Sequence, residues 1–177
     1  KTENKPVVFI SGHFNNFELM AMIIEKNGIN LSAIYRPLNN IFLNKIMERI
    51  RKNYICKNQI KKGKGGTRDM INLFKKNFSV ALMIDQRVSE GESIKLFNRP
   101  AKTTTIPAQL VKKYGCRVVP VYIERFKNYH FRLSFNKPLK FDDKLSIEQI
   151  SLELNEILEK MILKNPDQWI WTHNRWK

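Results

Sequence analysis

The run Val7-Val8-Phe9-Ile10-Ser11 is apolar almost throughout and does not alternate with polar residues. A strand with one wet face alternates; a short continuous β-branched run is instead buried on both faces, as in a parallel sheet. Comparable runs recur at Leu31–Tyr35 (LSAIY) and Ser79–Asp85 (SVALMID). Between them lie stretches with helical spacing: Phe17 to Gly28, Ile41 to Lys52, and Thr67 to Lys76. Gly28 is a natural helix stop and Thr67 stands where an N-cap is expected. Further on, Pro107–Tyr114 reads as a helix with Pro107 in its first turn. RVVPVYIERF and HFRLSFNKPLKF read as two strands able to form a hairpin, and Ser146–Lys164 as a long amphipathic helix. Lys57–Gly66 and the polar stretch from the end of SVALMID through Lys102 read as loops. Strands alternating with helices predict an α/β fold, a mostly parallel central sheet flanked by helices. The 177 residues suit one domain, 1–177, with no repeat, low-complexity tract or internal linker.

Lys and Arg total 32 against 16 Asp and Glu, a formal net charge of +16. Such an imbalance costs self-repulsion and points to an acidic partner: nucleic acid, an anionic bilayer or an acidic carrier protein. A lysine-, asparagine- and isoleucine-rich composition is the plainer explanation. Cys56 and Cys116 have neither metal-like spacing nor the number for a disulfide framework, so they read as buried or incidental thiols in a reducing compartment. No run approaches the roughly 20 apolar residues of a membrane span, and no signal peptide is expected. No cluster of His, Cys and acids has metal-ligand spacing, so no metal and no cofactor are expected.

Ligands of parallel sheets sit beyond the carboxyl ends of the strands. Two segments occupy that position: Gly12-His13-Phe14-Asn15-Asn16-Phe17-Glu18 after the first strand, and Asp85-Gln86-Arg87 after the third. His13 lies in a loop and Glu18 follows five positions later at the start of a helix. A turn between them would let the Glu18 carboxylate orient one imidazole nitrogen and leave the other as a base. A loop histidine with a local hydrogen bond is the bland alternative. Asp85 and Gln86 could line the cleft, or Asp85 could simply cap a turn. Arg36, before Pro37, suits a phosphate or is simply solvated, whereas Arg87 reads as a solvated charge. Lys57, Lys61, Lys62, Lys64 and Arg68 form a basic, glycine-containing cluster without the order of a nucleotide P-loop. A solvated loop or a patch for anionic headgroups accounts for it. The Ile41–Lys52 helix mixes apolar residues with Lys45, Arg49, Arg51 and Lys52; core packing is the usual reason and membrane-interface contact the second. Trp169, Trp171 and Trp176 read as packing residues of a terminal segment, with a membrane interface as the alternative. His130 reads as structural, and His173 carries no catalytic argument.

GHFNNFE closely resembles the GHFGNWE box of the lipid A secondary acyltransferases, the lauroyl/myristoyl transferase family. YRPLNN (Tyr35 to Asn40), Gly66-Thr67-Arg68, LMIDQ (Leu82 to Gln86), LFNRPAKTTTIPAQL and PDQWIWTHNRWK resemble further segments of that family, in the same order and over nearly the whole chain. The resemblance implies a glycerol-phosphate-acyltransferase-like fold with His13 as base on an acceptor hydroxyl and Glu18 as its charge partner. It implies a substrate-contacting role for Arg68, an acyl carrier protein as donor and a lipid A precursor as acceptor. It also implies work on an anionic membrane surface, at the cytoplasmic face of the inner membrane, with no nucleic acid. In place of the family's usual residues, Asn15 stands for Gly, Phe17 for Trp, and Asn98 and Ile106 for Gly. The family's hydrophobic segment upstream of the His box has no counterpart here, so an anchor preceding Lys1 is expected to be missing. A different acceptor (a lysophospholipid, a glycolipid mannoside or an ornithine lipid), with acyl-CoA or the carrier protein as donor, would use the same residues. A non-catalytic basic module binding membrane or nucleic acid would account for the charge but not for the ordered motifs.

Overall fold

A computed structural model describes residues 5–177. In chain order its elements are β1 (Val8–Ser11), α1 (Leu19–Lys26), β2 (Leu31–Tyr35), α2 (Ile41–Ile50), β3 (Asn58–Lys61), α3 (Lys64–Lys75), β4 (Ser79–Met83), β5 (Glu92–Leu96), β6 (Arg99–Thr103), α4 (Ile106–Tyr114), β7 (Val118–Phe126), β8 (His130–Phe135) and α5 (Ile147–Lys164). A π-helical turn, Arg51–Ile55, prolongs α2, and a 3-10 turn, Pro166–Gln168, follows α5. Packing divides the described residues into two compact units, one built from residues 5–7 and Glu18–Leu82, the other from Val8–Phe17 and Met83–Lys177.

In the first unit the strand order is β3-β2-β4, with both pairings parallel. Ile34 stands opposite Ile60, and Ser32 opposite Val80. Leu31, Ile60, Met70, Phe74 and Val80 are buried here. In the second unit the order is β1-β7-β8, with β1 parallel to β7 and β7 antiparallel to β8; β5 and β6 form a separate hairpin. The expected α/β fold with mostly parallel pairing is what the chain adopts. The apolar run of β1 is buried at all four residues, which explains why it lacks alternation.

Helix α5 organises the second unit. Ser146 caps it by accepting from the Gln149 N–H while the Gln149 side chain accepts from the Ser146 N–H, a full capping box. Ile150, Leu154, Leu158, Met161 and Ile162 are buried along one face. Each such side chain contributes roughly 1.5–3 kcal/mol when fully buried. Buried Asn155 is held by Nδ2 donating to the Lys95 carbonyl and the Thr103 hydroxyl, which ties α5 to the β5–β6 hairpin.

Three departures from the sequence reading have physical causes. The basic stretch Lys57–Gly66 is not all loop: it contains β3, which pairs on one side only, so its polar residues stay at the sheet edge. Gly66 lies in α3, whose N-cap is Gly63 rather than Thr67. A Cβ at Gly66 would stand 1.9 Å from the Lys61 carbonyl oxygen, so only glycine lets α3 start this close to β3. The polar stretch before Lys102 contains the β5–β6 hairpin, whose turn residues Phe97 and Asn98 both have positive φ (50° and 58°). Two-residue hairpin turns of this hand favour Asn and Gly; the Phe-Asn pair hides the signal.

Candidate functional site

Strand β1 ends at Ser11 and delivers Gly12 and His13 into a loop. A Cβ on Gly12 would meet the Phe14 ring at 3.0 Å and Leu158 at 3.1 Å, so a bare glycine seats the loop on α5. Phe14, fully buried, makes a bridge with Trp169. The chain's last segment binds the same loop: Ile170 N–H donates to the His13 carbonyl and Asn15 N–H to that of Gln168. Asn15 has φ +40°, a region where Asn is better tolerated than most residues. That explains how Asn can stand where the resembled box has Gly.

His13 meets Asp85. Its Nδ1 is 2.7 Å from Asp85 Oδ1, and its backbone N–H donates to Asp85 Oδ2 at 2.8 Å. The indole Nε1–H of Trp169 also donates to Oδ2, at 2.8 Å. Asp85 is only 3 % exposed, so burial by itself pushes its carboxyl pKa up. The bonds and charge of His13, with the Trp169 donor, outweigh burial and hold it below the ordinary carboxylate value. An ionised carboxylate only accepts hydrogen bonds, so Nδ1 carries the proton in the neutral imidazole and Nε2 keeps its lone pair. The His13 side chain is 17 % exposed, and the Phe17 ring packs against it edge-on with centroids 4.5 Å apart. Loop, carboxylate and indole therefore fix one tautomer of a partly accessible base.

Glu18, assigned by the sequence reading as the partner of that ring, has another partner. Its carboxylate accepts from Arg51 Nε at 2.9 Å and is 37 % exposed. The ring-orienting carboxylate is Asp85, which the sequence reading places as a cleft-lining residue or a turn cap. Sequence spacing favours Glu18 because it is near in the chain, whereas Asp85 lies 72 positions away. The apolar run of β4 leading into a lone Asp was the available signal.

The sequence matches the family of bacterial lipid A biosynthesis acyltransferases over residues 1–177. The chain belongs to that family. It is similar to the lipid A biosynthesis palmitoleoyltransferase of Escherichia coli (strain K12), at 26 % identity over 180 residues, covering 99 % of this chain and 57 % of that protein. The lipid A biosynthesis acyltransferase of Shigella flexneri matches with the same identity and coverage. The chain thus spans little more than half the length of these curated relatives.

In this acyltransferase family member the tail PDQWIWTHNRWK is packed on the second unit, as read for its tryptophans in the case of Trp169. Trp169 is 5 % exposed, and Trp176 Nε1–H donates to the Leu96 carbonyl. Trp171, by contrast, is 55 % exposed, with its N–H on the Pro166 carbonyl. Arg175 is buried, donating to the Lys102 carbonyl at 2.6 Å and the Thr103 hydroxyl at 2.7 Å. Burial lowers its guanidinium pKa, and the charge of Asp85 works the other way. Sequence reasoning missed both Trp169 as a carboxylate donor and Arg175 as a buried cation. His173 Nε2 accepts from the backbone N–H of Arg87 at 2.9 Å. Gln86 is half-buried beside Asp85 in sequence, while Arg36 and Arg68 are exposed cations of the first unit. Among the described residues no group of three His, Cys, Asp or Glu side chains is placed to hold a metal, and no helix is long and apolar enough to cross a membrane.

Proposed function

We propose that this chain carries the catalytic centre of an enzyme that moves a fatty acyl group from a thioester donor to a hydroxyl of a lipid A precursor. The observation that carries the reading is the His13–Asp85–Trp169 arrangement, within a chain that belongs to the family. An alkyl hydroxyl is almost wholly protonated at neutral pH and attacks poorly. His13 Nε2 takes its proton as the oxygen bonds to the thioester carbonyl carbon. The imidazolium so formed is stabilised by Asp85, whose own charge is kept in place by the His13 and Trp169 N–H groups. Collapse of the tetrahedral intermediate breaks the carbon–sulfur bond, and the departing thiolate takes the proton back from Nε2. A new ester and a free thiol result, and no nucleophilic side chain is consumed. A positioned base of this kind is worth about 10²–10⁴-fold.

The donor in this reading is an acyl carrier protein, an acidic partner that a chain of net charge +16 would attract. Arg36 and Arg68 are the cations proposed to meet phosphate groups of the acceptor, with Gln86 a substrate contact next to Asp85. Glu18, through Arg51, acts as a positioning residue at the start of α1. The place of action is the cytoplasmic face of the inner membrane. The test is to incubate the protein with a lipid A precursor and either acyl carrier protein or coenzyme A thioesters, and weigh the lipid. One added acyl chain, lost in folded His13→Ala, is the expected result. Acylation of a lysophospholipid but not of the lipid A precursor would reassign the acceptor. Undiminished transfer by His13→Ala would refute the mechanism.

A further inference from the structure

Helix α2 is turned inside out. At about 100° per residue, Asn44, Met47, Glu48 and Arg51 share one side, and these are its half-buried positions. That side is held by polar contacts. Glu48 accepts from the Tyr35 hydroxyl, from Asn44 Nδ2 at 2.8 Å and from Lys61 at 3.2 Å. Arg51 binds Glu18 and lies over the Tyr35 ring, 5.4 Å from its centroid. The opposite side carries Phe42, Leu43, Ile46 and Ile50, which are 81 %, 53 %, 55 % and 40 % exposed. Ile41 and Tyr54 extend the strip at its two ends, both more than two-thirds exposed. No residue of α2 is buried, so core packing, the usual reason for such a pattern, does not apply.

We propose that α2 lies in the interface of an anionic lipid bilayer, with Phe42, Leu43, Ile46 and Ile50 among the acyl chains. The charge pattern selects this occupant. Lys45 and Arg49 run along one flank of the apolar strip, Lys52 follows, and all three are exposed. An apolar face edged by cations matches the layering of acyl chains beneath anionic headgroups. A second copy of this chain, with twice as many basic as acidic residues, would bring like charge to the same strip. Each cation near such a surface strengthens binding about fivefold.

Lipid binding by α2 needs no acyl transfer, and the test keeps the two separate. The chain is sedimented with vesicles of phosphatidylglycerol and phosphatidylethanolamine, or of neutral phosphatidylcholine. Binding is expected on the anionic vesicles, to weaken at least about tenfold in Phe42→Ser/Ile46→Ser, and to weaken about as much in Lys45→Glu/Arg49→Glu or on phosphatidylcholine. Leu163→Ser, an exposed apolar site elsewhere, and His13→Ala should bind as the wild type does. Because Cys56 and Cys116 are buried, an Ile46→Cys chain can be labelled at its new thiol with a polarity-sensitive dye. A blue shift on anionic vesicles is expected, with a monomeric mass in their absence. Wild-type binding by folded Phe42→Ser/Ile46→Ser, no blue shift, or a dimer that Phe42→Ser/Ile46→Ser dissolves would each overturn the proposal.

Discussion

Asp85 and Glu18 are both carboxylates beside a basic side chain, yet they are held in opposite ways. Asp85 is 3 % exposed and meets three donors, two from His13 and one from Trp169. Glu18 is 37 % exposed and meets one, Arg51. In the low-dielectric interior a charge–imidazole contact is strong and direction is fixed, whereas at a wet surface the same contact is screened and contributes about 1 kcal/mol at most. The difference teaches that nearness in sequence is a poor guide to which acid tunes a base; burial and the number of donors decide.

Four measurements can break or sharpen this contrast. The largest effect is expected from His13→Ala, which removes the base and should lower kcat about 10²–10⁴-fold with the fold intact by circular dichroism. Next, Arg175→Ala should cost about 3 kcal/mol of stability in urea unfolding, because it empties a buried site and removes a charged donor from the Lys102 carbonyl and the Thr103 hydroxyl. A cost under 1 kcal/mol would show that the tail does not depend on this cation. Trp169→Phe keeps an aromatic ring, though a smaller one, but deletes one of the three donors to Asp85, and about a tenfold loss of kcat is expected, since a hydrogen bond to a charged group is worth about 1.5–3 kcal/mol. The smallest effect is assigned to Glu18→Gln, less than about tenfold in kcat/KM, in keeping with an ion pair whose carboxylate is 37 % exposed. A loss as deep as that of His13→Ala would instead place Glu18 among the reacting groups, as the local spacing suggests.

Acidity tests the same contrast. The folded-state pKa of Asp85 is depressed, so its contribution to stability is present above the unfolded carboxyl value, about 3.9, and is lost as pH falls through the folded one. Wild-type protein should therefore lose stability on acidification below about pH 4, and Asp85→Asn should lack that part of the loss.

Much of the fold was legible because burial leaves a mark in composition. Residues 31–35 and 79–83 are strands within the apolar runs that announced them, and α5 starts where its Ser146 cap stands. The edge strand β3 and the hairpin β5–β6 were not legible. Their exposed positions carry Lys, Glu, Arg and Pro, and one wet face or edge removes the continuous apolar run. The orientation of α2 was also hidden: periodicity shows that a helix has two faces but not which of them meets the protein. At the site, His13 stood out as a histidine just past a buried strand. Its partner did not, because Asp85 lies 72 positions away in the chain.

The account rests on Asp85 keeping the proton on His13 Nδ1 so that Nε2 can act as a base. The most direct measurement is kcat against pH for folded Asp85→Asn beside the wild type. The neutral amide can hold the wrong tautomer and cannot stabilise the imidazolium, so kcat should fall about 10³–10⁴-fold, as seen when such acids are neutralised in histidine-based sites. A folded Asp85→Asn enzyme with kcat within about tenfold of wild type at every pH measured would contradict the account.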